Sequence, residues 1–236
     1  MVDYSQVNLG RQMQEELEKL HIRYVFQPIF KRDGKTIFAY EALMRPENTT
    51  VDRLIEQYTK EGKLHFLEVA TFIGAVQSYL ERGYQEYVTI NSFPSEGFTE
   101  EEKKQFDEMF PDFKDRAIIE ILEYPALCMD DLEGKEKPKQ HREDFLLAID
   151  DFGNGNHTTL QSIDIYHPNI VKLARELVNG VNTDFEKLLN VENVVDEFHK
   201  HGILVVAEGI ETWEEFECLK HLGVDLFQGY YLGMPT

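Results

Sequence analysis

Seven short apolar runs along this chain each lead into a polar side chain able to hold a proton or a hard cation. Glu41 follows "IFAY", Asn91 follows "YVTI", Glu120 follows "AII", and Asp150 with Asp151 follow "FLLAI". Lys172 comes after "NIV", Glu208 after "ILVVA" and Gln228 after "DLF". A single acidic residue at a strand end often only caps the next helix or marks where burial stops. A whole series is different, because carboxylates crowded into one mouth repel by several kcal/mol unless a counter-charge is present. Carboxylates with one carboxamide oxygen form a hard, all-oxygen donor set. It suits Mg²⁺ or Mn²⁺ and disfavours Zn²⁺, whose usual thiolate and imidazole ligands are absent from these positions. The charge suffices for two ions. The adjacent pair Asp150–Asp151 lets one carboxylate bridge them while its neighbour binds the second, an arrangement that serves in-line attack on a phosphodiester. Lys172 is the cation of the series. It either makes a structural salt bridge or works on the reaction, orienting or deprotonating the attacking water or stabilising charge on the phosphate.

For these side chains to meet, the strands that carry them must open onto one face. "IRYVFQPIF" and "TIFAYEALMR" flank the turn "KRDGK", whose Asp33-Gly34 pair predicts a hairpin and so an antiparallel first pair. Beyond it, apolar strands alternate with amphipathic helical stretches near 51–60, 64–82, 100–109, 184–201 and 213–221. The strands read "YVTIN", "AIIEIL", "FLLAIDD", "NIVKLA", "ILVVAEG" and "DLFQGYY". This alternation predicts a parallel sheet, and its count and length fit a closed eight-stranded barrel better than an open one. In such a barrel the strand ends converge on one pocket. Leu9, Met13, Leu17 and Leu20 predict a leading helix over 5–20 ahead of a barrel spanning 21–236, all in one domain.

Acidic residues outnumber basic ones by 44 to 24, giving a net charge of -20, which argues against nucleic-acid polymers and anionic membranes as partners. Cys128 and Cys218 show no paired metal spacing and read as two thiols in a reducing compartment. With no signal-peptide pattern and no apolar run long enough for a membrane span, a cytoplasmic location is expected.

Six tags in order, "YEALMRP", "INSFP", "EILE", "IDDFGNG", "VAEGIET" and "FQGYYLGMP", resemble the EAL-domain phosphodiesterases of cyclic di-GMP. The resemblance implies a modified TIM (β/α)8 barrel with an antiparallel first strand, and hydrolysis of cyclic di-GMP to linear pGpG with two Mg²⁺ or Mn²⁺ ions. It implies metal ligation by Glu41, Asn91, Glu120, Asp150, Asp151 and Glu208, with Lys172 and Glu208 in the catalytic machinery. Glu123 matches a glutamate that braces the loop after the two aspartates. Gln27, Arg45, Glu211 and Gln228 match positions lining the substrate site, and a homodimer is an assembly the family allows.

The chain departs from the family pattern in two places. Where the family reads Lys-x-Asp, "VKLA" places Ala174, on the same side of its strand as Lys172; Glu176 is a nearby carboxylate. The loop "DFGNGNHTTL" carries an extra residue and has Asn156-His157 in place of an aromatic, with His157 read as plain surface. These departures define an alternative, a catalytically weak domain acting as a cyclic di-GMP receptor or protein-interaction module. An unrelated barrel enzyme with the same metal-binding mouth is the remaining reading.

Overall fold

The computed structural model describes residues 2, 4, 9–111, 113–122, 145–154, 163 and 166–236. Eight strands close into a barrel in chain order: β1 (Ile22–Lys31), β2 (Ile37–Pro46), β3 (Tyr87–Ser92), β4 (Ala117–Ile121), β5 (Leu146–Phe152), β6 (Ile170–Leu173), β7 (Leu204–Ala207) and β8 (Leu226–Phe227). The described helices are α1 (Arg11–Leu17), α2 (Val51–Lys60), α3 (Leu64–Glu81), α4 (Glu100–Met109), α5 (Arg175–Val178), α6 (Phe185–Lys200) and α7 (Trp213–His221).

The predicted hairpin is present. The Asp33 carboxylate accepts from the backbone N–H groups of Lys35 at 2.9 Å and Thr36 at 2.8 Å, and Gly34 takes φ 64°, which L residues rarely adopt. This turn sets β1 antiparallel to β2, with Gln27 opposite Glu41. β1 also runs antiparallel to β8, with Phe30 opposite Phe227, so it is the reversed strand of an otherwise parallel barrel.

Alternation along each strand divides the core in two. Ile29, Ala39, Ile118, Ala148, Ile170, Val206 and Leu226 fill the barrel interior. One alternation further towards the open end, the same strands present Gln27, Glu41, Glu120, Asp150, Lys172, Glu208 and Gln228. The outward residues, such as Ile90, Ile119, Val171 and Val205, pack with the inner faces of the helices, including Leu67, Ile73, Val195, Phe198 and Leu219.

Helix starts follow from local chemistry. Thr99 and Glu102 form a capping box at α4, Thr212 and Glu215 form another at α7, and the Asp184 side chain caps α6. Three expectations are refined. The leading helix is described from Arg11, after Gly10 at φ 83°, to Leu17. β8 pairs only through Leu226–Phe227, and the short α5 follows Ala174 directly. Glu123, Cys128, Asn156 and His157 lie outside the described residues.

Candidate functional site

Lys172 stands at the centre of the barrel mouth, with its side chain only 2% exposed. Its Nζ lies 2.5 Å from Glu120 Oε1, 2.6 Å from Glu208 Oε1, 3.1 Å from Asp150 Oδ1 and 3.8 Å from Glu41 Oε2. Five strands thus deliver one ammonium and four carboxyl groups to one point. Burial by itself would lower the lysine pKa, but the charges of Asp150, Glu120, Glu208 and Glu41 outweigh it and hold the pKa well above its ordinary value. Lys172 is therefore the internal counter-ion of this acidic mouth.

Asp151 reaches the same mouth by a different route. In a regular strand it would face away from Asp150. Instead its φ is 53°, in the left-handed region, and the β5–β6 register shifts between Ile149 and Phe152. That local break turns the second aspartate towards the first, so carboxylate oxygens of Asp150, Asp151 and Glu208 lie within 4.8 Å of one another. Gly153 must be glycine: its φ is 95°, and a Cβ there would stand 2.2 Å from Leu177 Cδ1.

The remaining predicted residues divide into those inside the mouth and those around it. Gln228 is buried and donates from Nε2 to Glu41 Oε2 at 2.6 Å, which joins it directly to the acidic cluster. Asn91 lies opposite Glu120 in the β3–β4 register and so shares its inward face. Gln27, also buried, donates to the Gly233 carbonyl at 3.1 Å and ties β1 to the C-terminal segment. Arg45, half-buried further along β2 on the Glu41 face, hydrogen-bonds the Met44 carbonyl at 2.8 Å. Glu211 is exposed and pairs with Arg175 Nη1 at 2.5 Å.

Sequence reasoning missed the residues that brace this rim. Arg175 also donates to the Gly209 carbonyl at 2.8 Å, and Glu215 accepts from the backbone N–H groups of Gly180 at 3.1 Å and Glu211 at 3.0 Å. Glu68, within the apolar run of α3, holds Ser92 and Phe93. A lone carboxylate in "LHFLEVATFIGAV" was the available signal for Glu68. Arg175 and Glu215 carried none beyond their strand-end and cap positions.

The EAL domain pattern matches residues 10–235. The chain belongs to the EAL domain family. It is 29% identical over 172 residues to a probable cyclic di-GMP phosphodiesterase, PdeG of Escherichia coli K12, covering 72% of this chain and 33% of that protein. The chain thus spans about a third of that relative's length. Among solved structures, a standalone EAL protein from Vibrio cholerae O395 with bound c-di-GMP superposes with TM-score 0.78 at 26% identity, covering 90% of this chain and 91% of that one. The manganese/cyclic di-GMP complex of Klebsiella pneumoniae BlrP1 gives 0.75 at 25% identity, covering 91% of this chain and 56% of that one.

The mouth of this EAL domain passes a chemical test for hard cations. Glu120 Oε2, Asp150 Oδ1 and Gln228 Oε1 are buried without a hydrogen-bond partner; the 3.1 Å approach of Lys172 to Asp150 is ionic contact without hydrogen-bond geometry. Buried oxygens are rarely left so, and three on one all-oxygen rim match the needs of Mg²⁺ or Mn²⁺. Burial, together with the charge of Asp150, raises the carboxyl pKa of Asp151, Glu120 and Glu208, the last to about 8 despite Lys172. For a carboxyl raised from 4.5 to about 8, stability present below pH 4.5 is lost as pH rises through 8. A cation held by these carboxyl groups would have to displace the same protons, so Mn²⁺ affinity is expected to climb between pH 6 and 8, by up to about tenfold per unit for each proton released. Calorimetry at several pH values, in buffers of different ionisation enthalpy, checks this. A flat affinity with no proton release would contradict it.

Proposed function

We propose that this EAL domain hydrolyses one phosphodiester of cyclic di-GMP to give linear pGpG, using two Mg²⁺ or Mn²⁺ ions. The observation that carries this reading is the set of buried oxygens without a hydrogen-bond partner around Lys172, in a chain whose relatives are named for cyclic di-GMP. Glu41, Asn91, Glu120, Asp150, Asp151 and Glu208 are the residues that would hold the ions. Bound there, the cations would supply Lewis acidity, activating a water and neutralising charge on the phosphodiester.

The chain's own residues do the rest. Lys172, fixed by its carboxylate partners, presents a charged N–H group that orients the attacking oxygen and stabilises negative charge at phosphorus. Glu208 Oε1, 2.6 Å from that ammonium, would help hold it charged and oriented while the same carboxyl serves the ion site. Gln228 steadies Glu41 through their 2.6 Å hydrogen bond. Gln27, Arg45 and Glu211 define the rim that meets the nucleotide. With a net charge of -20, the protein repels an anionic nucleotide until cations occupy the mouth, so nucleotide binding should depend on them.

The test is conversion of cyclic di-GMP to pGpG with Mg²⁺ or Mn²⁺, run beside Glu41→Ala. Turnover should vanish in excess EDTA, and Ca²⁺ should bind while supporting little turnover, because its looser geometry positions water less strictly. Full activity with chelator, or no activity above the Glu41→Ala control, would defeat the proposal. The receptor reading has one specific observation behind it: Ala174, fully buried beyond Lys172, offers no carboxylate. Glu176, two residues on, acts on the Asp151 end of the site, where its charge adds to the rise of that carboxyl's pKa. Calorimetry showing tight cyclic di-GMP binding without product would favour the receptor, and adding Ala174→Asp to the assay shows whether that carboxylate matters.

A further inference from the structure

Glu68 is 1% exposed on α3, outside the barrel. Its Oε1 accepts from the Ser92 hydroxyl at 2.6 Å and its Oε2 from the Phe93 N–H at 3.0 Å. Ser92 ends β3 and directly follows Asn91; its carbonyl in turn accepts from Leu122 N–H at 3.1 Å, just past the strand that carries Glu120. Alternation explains the division of labour: Asn91 faces the barrel interior and Ser92 faces the helix. The carboxylate therefore fixes the end of β3, which carries Asn91 and pairs with the strand that carries Glu120.

Among the described residues, a cavity of about 60 Å³ lined by Phe72, Phe93, Phe98, Phe106 and Ile121 lies beside Glu68. Burying a carboxyl group in such surroundings is costly, and an apolar side chain would suit the fold better if the turn needed no anchor.

We infer that Glu68 is a positioning residue for the cation centre, setting the end of β3 so that the Asn91 amide oxygen stands beside Glu120. This rests on the reading of Asn91 as a cation ligand, and the experiment separates the two. Mn²⁺ affinity of the nucleotide-free protein would be measured for wild type, Glu68→Met, Glu68→Gln, Asn91→Ala and the Glu68→Met/Asn91→Ala double variant.

Glu68→Met is expected to weaken Mn²⁺ binding about tenfold or more, as loss of a group supporting a ligand does. Glu68→Gln should stay within about threefold of wild type, because its Oε1 can accept from Phe93 N–H while its Nε2 donates to the Ser92 hydroxyl. In the Asn91→Ala background Glu68→Met should add nothing further, which a merely structural role would not produce. Wild-type affinity in Glu68→Met, or full additivity of the two substitutions, overturns the inference. Wild-type affinity in Asn91→Ala overturns the ligand reading instead. Should Glu68→Met fail to fold, Ser92→Ala removes only one of the two hydrogen bonds and is expected to show a smaller loss, about threefold; no loss there is equally decisive against the inference.

Discussion

Lys172→Met should both silence the protein and unsettle its cation-free form. The methionine fills much the same space but leaves Glu120, Glu208, Asp150 and Glu41 without the ammonium that now lies 2.5 to 3.8 Å away. Removing one partner of a buried charge network costs about 3–5 kcal/mol, which for a chain of this length lowers Tm by roughly 10 °C. Lys172 has a raised pKa, so its contribution is fully present below its ordinary value of 10.5 and is lost only as pH rises past the higher folded one. The deficit should be largest above about pH 8 and smaller below it, because without the Lys172 charge, which lowers the Glu208 pKa, that carboxyl takes up its proton at a still higher pH and then needs no counter-charge. Mn²⁺ should raise the variant's Tm by more than it raises that of wild type, because the ion takes over the missing positive charge. Thermal melts at several pH values with and without Mn²⁺ read all three effects. A variant that melts within about 2 °C of wild type and gains no more from Mn²⁺ would show that Lys172 is not the cluster's counter-ion.

Glu120→Gln is expected to separate activity from stability. Glu120 is fully buried, with Oε1 engaged by Lys172 and Oε2 without a partner. The amide keeps the shape but removes a charge from the proposed ion site and places an N–H group where an acceptor is required. Turnover of cyclic di-GMP should fall by about 10³-fold or more, equivalent to roughly 4 kcal/mol of transition-state stabilisation. The cation-free protein should melt at or above the wild-type temperature, because Lys172 keeps Glu208 and Asp150 and one buried carboxyl with a raised pKa has gone. A turnover within about tenfold of wild type would remove Glu120 from the machinery. A large fall in Tm would mean that its role is structural.

Much of this architecture was written locally. The Asp33-Gly34 turn, the Thr99 and Thr212 caps and the boundaries of α2, α3, α4, α6 and α7 all depend on residues close in sequence, and they stand where their chemistry places them. The polar residues at the strand ends were legible for the same reason, because a period of two sets which side chains turn inward once a strand forms. The contacts that join distant elements were not. Gln228 finds Glu41, Glu211 finds Arg175, and Glu68 finds Ser92, each across separate elements.

The sequence by itself determined which residue types occupy the barrel mouth, the reversed first strand and the excess of acid that calls for cations, since composition, turn chemistry and strand alternation need no long-range information. Only the tertiary structure decided that Lys172 sits within reach of four carboxyl groups at once, because closure of the barrel sets the distances between strands. It also decided how Asp151 joins Asp150. Alternation would have turned the second aspartate away, and the left-handed residue with its shifted β5–β6 register brings it back.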